Sequence, residues 1–292
     1  SLIHSFWIVK KFKPELAVGV GGFASGPVLA VCHWLGIPIF LQEQNAYPGI
    51  TNRLLKNKAE KIFVAYRQME SFFPKEKLVL SGNPVRAVFR ESLPSKEEAR
   101  KFFKILGNGK VVLVIGGSLG AASINRALSD GISSHSLAKE VFWIWQVGSQ
   151  YYEDLQNNDS LKKDHVLILP FIDRMEMAYA AADLVVGRAG ALTIAELAWI
   201  NQPCILVPSP NVAADHQTAN AKALEELGGG KWISDADAGE KLISSVVSLV
   251  QDDRAVNGMV EQLSARPHED ASSLIVQEIM KVLNKEKSNG GV

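Results

Sequence analysis

Disulfides, net charge and membrane-length apolar runs are all missing from this chain. Its two cysteines, Cys32 and Cys204, stand far apart in apolar surroundings with no Cys-x-x-Cys pair. That excludes a disulfide framework and predicts buried, reduced thiols in a cytosolic protein. Lysine plus arginine (31) equals aspartate plus glutamate (31), so bulk charge gives no case for a nucleic-acid partner. The longest apolar stretch, Pro27 to Leu41, is interrupted by His33, Gly36 and Pro38. It is too short and too broken to span a bilayer. The histidines are scattered without ligand spacing, and no Ser-His-Asp arrangement is visible. Neither a signal-peptide pattern nor a methionine opens the chain. It starts Ser1-Leu2-Ile3, already inside an amphipathic pattern, so we expect further sequence upstream.

What is present is an ordinary soluble composition, 47% hydrophobic and 21% charged, over 292 residues. That length has room for two domains at about 150 residues each. Residues 2–12 read as a helix with Leu2, Phe6 and Val9 on one stripe. Lys10, Lys11 and Lys13 crowd its end beside Phe6 and Trp7. This is either a core-facing helix with a solvated basic end or an aromatic-plus-basic patch for a membrane surface.

Strands are expected at Glu15–Val20, Ile37–Leu41, Lys61–Ala65 and Leu78–Ser81. Gly82-Asn83-Pro84-Val85-Arg86 then breaks the pattern, and the domain boundary is expected between Arg86 and Leu93. The alternation restarts with strands at Val111–Ile115, Val141–Val147, Val166–Leu169, Ala182–Val186 and Cys204–Val207, separated by helices. Each half therefore reads as a parallel sheet wound with helices. A final helix, Ser272–Leu283, and a polar tail from Lys285 complete the chain.

Four stretches carry candidate chemistry. Gly19-Val20-Gly21-Gly22-Phe23-Ala24 follows a strand, and Glu43 ends the next strand about twenty residues later. That spacing fits a dinucleotide fingerprint and an NAD-dependent oxidoreductase. Gln42 to Asn52 packs polar residues into a strand-to-helix loop, where parallel sheets carry sites, although Asn, Pro and Gly also belong in plain turns. Asp235-Ala236-Asp237 has the form of a metal-binding D-x-D but lacks further ligands nearby, so no metal is expected.

The fourth stretch is Val186-Gly187-Arg188-Ala189-Gly190-Ala191-Leu192-Thr193-Ile194-Ala195-Glu196, an apolar strand ending in a small-residue turn that opens a helix. The first N–H groups of a helix and its dipole make an anion site, so Ala191, Leu192 and Thr193 can receive a diphosphate. The same residues also fit a capping box, with Thr193 as N-cap and Glu196 three residues on. Pattern alone leaves both open.

Five stretches in order resemble one family. They are Gly21 to Pro27; Glu43-Gln44-Asn45-Ala46-Tyr47-Pro48-Gly49 with Thr51-Asn52; Gly82 to Arg86; Gly116-Gly117-Ser118-Leu119-Gly120-Ala121; and Arg188 to Glu196 with Asp215-His216-Gln217 and Asn220-Ala221. Together they resemble the MurG family, GT-B glycosyltransferases of peptidoglycan synthesis. The resemblance runs from the first helix to about Gly230.

It implies two Rossmann-type parallel-sheet domains facing a cleft. Residues 1–87 would form an incomplete acceptor and membrane-side domain, with the final helix, 270–286, packing back on it. Residues 88–269 would form the UDP-GlcNAc domain, and 287–292 a disordered tail. It implies inverting, metal-independent transfer of GlcNAc from UDP-GlcNAc to undecaprenyl-linked lipid I, giving lipid II, with no cofactor, at the cytoplasmic face of the bacterial membrane. The membrane contact would use Phe6, Trp7, Lys10, Lys11 and Lys13.

Carried over, the Ala191, Leu192 and Thr193 amides would hold the diphosphate and Glu196 the ribose. Ile172 would present backbone to the uracil, and Gln217 and Asn45 would reach the sugar. Arg86 and Ser118 would close over the phosphates.

Two departures stand out. The family's opening Gly-Gly-x-Gly-Gly-His loop has no counterpart here, a gap on the order of 60–70 residues or two βαβ-sized steps. Leu41-Gln42 stands where many members carry a histidine before Glu-Gln-Asn. A helix N-terminus and an arginine can stabilise a leaving UDP without a cation. For the acceptor proton, Glu43 is the base candidate in this chain. The chain as given is then expected to bind donor without completing transfer. The alternatives are a soluble UDP-GlcNAc enzyme of the same architecture, such as a 2-epimerase, a non-catalytic nucleotide-sugar binder, and the oxidoreductase.

Overall fold

A computed structural model describes residues 1–117, 119–212, 215–266 and 269–289, without the side chains of 136, 137 and 285–289. The elements run α1 (Leu2–Phe12), β1 (Ala17–Gly19), α2 (Ser25–Trp34), β2 (Ile39–Glu43), α3 (Ile50–Leu55), β3 (Ile62–Val64), β4 (Leu78–Leu80), α4 (Ala87–Arg90) and α5 (Lys96–Phe102). They continue β5 (Lys110–Ile115), α6 (Ala122–Ser134), β6 (Val141–Gln146), α7 (Ser149–Gln156), β7 (Val166–Leu169), α8 (Met175–Ala181), β8 (Leu184–Gly187) and α9 (Ala191–Trp199). The last are β9 (Cys204–Leu206), α10 (His216–Glu226), β10 (Gly230–Trp232), α11 (Ala238–Gln251), α12 (Asp253–Ser264) and α13 (Ala271–Asn289).

The chain divides into two compact units, Ser1–Val85 with Val212–Ala219 and His268–Val292, and Arg86–Asn211 with Asn220–Pro267. Residues 212–219, expected in the second domain, thus group with the first.

The first unit holds a parallel sheet in the order β1-β2-β3-β4. Side chains alternate faces along a strand, and β2 and β3 show it. Ile39, Leu41, Ile62 and Val64 join one cluster with Val9, Leu29, Val31 and Cys32 from α1 and α2. Phe40 and Phe63 face the other way and meet Ile279, Ile275, Val282 and Leu283 of α13. Both faces are covered, which is why β2 is buried at every position.

The buried stripe of α1 is Ser5 and Val9, one turn apart on one face. Leu2, three residues before Ser5 and seven before Val9, lies on the same side but at the first position of the helix, where it is 44% exposed. Helix α13 continues to Asn289, through residues expected in the tail.

The second unit holds six parallel strands in the order β10-β9-β8-β5-β6-β7. Strand β10 was hidden behind Gly228-Gly229-Gly230, which reads as a helix stop. One face packs Val112, Val114, Trp143, Trp145 and Val186 against α6 and α11. The indoles inside satisfy their N–H groups, Trp143 on the Ala138 carbonyl (2.9 Å) and Trp145 on Asn125 Oδ1 (3.1 Å). Among the described residues, no helix is long and apolar enough to cross a membrane.

Candidate functional site

In the second sheet, chain order reverses around β5, which pairs with β6 on one side and β8 on the other. Open parallel sheets carry their ligands at the carboxyl ends of strands at such a point. The register places Ile115 opposite Gly187, so the two small-residue turns seen in the sequence lie side by side. The turn after β8 leads into α9, whose N-cap is Gly190, with no side chain bonding into the cap. Thr193 is the third residue of the helix, and the Glu196 carboxylate is engaged elsewhere. The capping box therefore does not form. The opening amides of α9, at Ala191, Leu192 and Thr193, present a positive helix end at the carboxyl edge of the sheet. Ser118, in the neighbouring turn, lies outside the described residues.

Glu196 accepts from Arg86 Nε at 2.9 Å and from the Tyr179 hydroxyl at 3.4 Å. Arg86 also stacks over the Phe89 ring, 4.6 Å from its centroid, and Phe89 meets Tyr179 edge-on. Burial, with the Glu196 charge added, raises the pKa of Tyr179, so its hydroxyl stays a donor. Glu196 is mostly buried and Arg86 is 58% exposed, so the arginine is the partner that can move.

Ile172 is buried, and its N–H donates to Gln146 Oε1 at 3.2 Å. Gln146 Nε2 in turn reaches the Gly117 carbonyl at 3.0 Å. Gln146 thereby ties the turn after β5 to the turn after β7. Its signal in the sequence is one amide closing an otherwise apolar strand.

In the first unit, Glu43 is 3% exposed. Its carboxylate accepts from the Asn45 backbone N–H (3.1 Å) and Asn45 Nδ2 (3.3 Å), the Gly49 N–H (2.9 Å) and Asn52 Nδ2 (2.9 Å). A general base needs a lone pair open to the substrate proton. A carboxylate receiving four N–H donors is instead the anchor of its loop, so the geometry does not fit Glu43 as the base. Nor does it fit Glu43 as the ribose-binding acid of a dinucleotide fold. Gln42 and Asn83 extend the network, Asn83 reaching the Gln44 carbonyl at 2.9 Å. Gln217 lies in the first turn of α10, in the stretch grouped with this unit.

Other candidates resolve as follows. Burial pushes the Cys204 thiol up to about 12 and raises Cys32 as well, which removes both as thiolate nucleophiles. Asp235 accepts from Arg188 and Ser123, and Asp237 from Ser234. Among the described residues, no three His, Cys, Asp or Glu side chains are placed to hold a metal ion.

Two family models match the chain, the glycosyltransferase family 28 N-terminal domain over residues 1–64 and the family 28 C-terminal domain over 111–275. A Parabacteroides distasonis protein named UDP-N-acetylglucosamine--N-acetylmuramyl-(pentapeptide) pyrophosphoryl-undecaprenol N-acetylglucosamine transferase is 45% identical over 95% of this chain and 75% of its own length. The chain belongs to the MurG family of glycosyltransferases. The crystal structure of Acinetobacter baumannii MurG superposes with a TM-score of 0.77 at 28% identity, covering 96% of this chain and 77% of that one. A Neisseria meningitidis UDP-GlcNAc 2-epimerase bound to UDP-GlcNAc shares the fold at 13% identity and a TM-score of 0.65, covering 96% of this chain and 80% of its own. Membership in the MurG family overturns the oxidoreductase alternative and fits the two parallel-sheet units.

The Glu43 network makes one prediction. Glu43→Ala leaves the Gly49 N–H without its carboxylate acceptor and takes one of two acceptors from Asn52 Nδ2, which keeps the Gln42 carbonyl, and should cost about 1–3 kcal/mol per unsatisfied group. Urea unfolding is the check. A loss within 0.5 kcal/mol, the roughly neutral range of surface substitutions, would contradict the anchoring role.

Proposed function

We propose that this chain transfers GlcNAc from UDP-GlcNAc to the muramyl sugar of undecaprenyl-diphosphate-linked lipid I, giving lipid II, with inversion and without a metal ion. The observation that carries the reading is the uncapped start of α9 at the strand-order reversal, one turn of helix from the Arg86–Glu196 pair. Membership in the MurG family supplies the substrate class.

In this reading the amides of Ala191, Leu192 and Thr193 hold the diphosphate. Glu196 receives the ribose hydroxyls. Those hydroxyls replace Arg86 on the carboxylate, and the released guanidinium turns to the phosphates with Ser118. As UDP departs, charge grows on its diphosphate, where helix dipole and arginine stabilise it in place of a cation. Ile172 offers its carbonyl to the uracil, since its N–H is taken by Gln146. Gln217 and Asn45 serve the sugar. The Glu43 network holds the Asn45 loop rather than removing the acceptor proton.

The lipid acceptor requires a membrane surface, and α1 offers one. Ile3 (78% exposed), Trp7 (66%) and Phe12 (78%) stand out beside Lys10, Lys11 and Lys13. Phe6 is half-buried against the core with Lys10 over its ring, so it supports the patch from beneath. Aromatic and basic residues together suit peripheral docking, here to the cytoplasmic face.

The central test measures UDP-GlcNAc binding and the passage of labelled GlcNAc into a lipid I analogue, both with EDTA. Donor binding should survive chelation, and sugar should leave the donor only when the lipid is present. The chain spans 75% of the Parabacteroides relative. Binding that needs added Mg²⁺, or donor turnover without lipid, would overturn the reading.

Two variants dissect the donor site. Ala191→Asp sets a carboxylate against the diphosphate and should weaken UDP by about 10-fold or more in calorimetry. Unchanged affinity in a folded variant moves the site elsewhere. Glu196→Ala should weaken UDP but leave 2′,3′-dideoxy-UDP nearly unaffected. Equal losses for both ligands would remove Glu196 from ribose recognition.

A further inference from the structure

One side chain in the second unit ties together the loops around the start of α9, and the reaction scheme has not used it. Arg188 sits in the turn between β8 and α9 and is 18% exposed. Its Nη1 donates to the Val207 carbonyl (3.1 Å), the Pro208 carbonyl (3.1 Å) and the Asp235 carboxylate. Its Nη2 donates to Ser123 Oγ at 2.9 Å, and Ser123 in turn donates to Asp235. These acceptors lie just after β9, in the first turn of α6 and in the loop after β10.

We propose that Arg188 is a positioning residue that fixes the β8–α9 turn for diphosphate binding, with Asp235 as its counter-charge. The inference rests on the diphosphate reading of α9. A guanidinium is a rigid planar fork of donors, so it can span two carbonyls, a hydroxyl and a carboxylate at once. A mostly buried ion pair is no general source of stability, since apolar residues of the same volume often do as well. What this pair supplies is fixed geometry: it joins the loops after β8, β9 and β10 to the first turn of α6. The adjoining residue is held from the other side, because the Ala189 carbonyl accepts from buried Asn220 at 3.3 Å. Asp235 also balances the guanidinium charge, so the attraction for an anion is left to the backbone amides of α9. Of the Asp235-Ala236-Asp237 pattern, Asp235 thereby finds its use as an arginine anchor, while Asp237 pairs with Ser234 and Lys241.

The test compares UDP with uridine, whose affinity ratio isolates the diphosphate. Arg188→Met should lower that ratio by roughly 10-fold, the weight of one charge-assisted hydrogen bond, with little change for uridine. Arg188→Lys, able to pair with Asp235 but not to span the carbonyls, should recover part of the loss. Ser123→Ala removes one strut without touching charge and should lower the ratio in the same direction by a smaller factor. It also carries the test if Arg188→Met fails to fold. An unchanged ratio in folded Arg188→Met, or equal losses for both ligands, overturns the proposal. So does a ratio untouched by Ser123→Ala, the result expected if Arg188 simply touched phosphate. If the unmodified chain binds UDP no more tightly than uridine, the diphosphate reading itself fails. If it discriminates, and Ala191→Asp abolishes the difference while Arg188→Met does not, only the role of Arg188 is lost.

Discussion

A side chain at residue 187 would have nowhere to go. A Cβ built on Gly187 would stand 2.9 Å from Ile115 Cγ1 and 3.1 Å from the Ile115 carbonyl oxygen. That closeness is the β5–β8 pairing itself, and it brings the turn after β8 against the turn after β5. The arrangement of turns in the second unit depends on it. With the strands this near, α9 starts beside the Gly116–Gly120 turn, and Gln146 and Arg188 can reach across neighbouring loops. The opposite hand of the same economy appears at Gly120, φ +73°, where a Cβ would meet the Val147 carbonyl at 2.1 Å. Small residues here are the condition for packing several turns into one layer.

Among the described residues, several polar groups around this layer bond to one another. Arg86, Tyr179 and Glu196 form one set, Arg188, Ser123 and Asp235 another, and Gln146 links two turns. The start of α9 has a glycine N-cap and no side-chain cap, which is the feature the proposed diphosphate site uses. The first unit follows a different logic. There the buried carboxylate of Glu43 gathers donors from its own loop and makes a polar segment rigid above a sheet sealed on both faces by Phe40, Phe63 and α13 on one side and α1 and α2 on the other.

Features whose causes are local in the chain were legible in the sequence. The alternation of buried strands and helices, the turn Gly187 to Gly190 and the helix it opens could be read directly, because strand, turn and helix start are neighbours. The capping box could not be settled that way. Thr193 and Glu196 have its spacing, but the fate of Glu196 is decided by Arg86, 110 residues earlier in the chain. Asp235 looked like half of a metal motif for the same reason, since its partner Arg188 lies 47 residues away. Glu43 shows local contacts that the sequence could have offered. Its partners Asn45, Gly49 and Asn52 are all within nine residues, and a carboxylate followed by two asparagines and a glycine could have suggested a loop anchor before a base.

In the proposed function, backbone amides at the start of α9 hold the donor's diphosphate. The most direct measurement follows the amide resonances of Ala191, Leu192 and Thr193 in the ¹⁵N-labelled protein during titration with UDP and, separately, with uridine. Large shifts of these three amides are expected with UDP and small ones with uridine. If UDP binds and shifts other resonances while these three stay in place, the claim is contradicted.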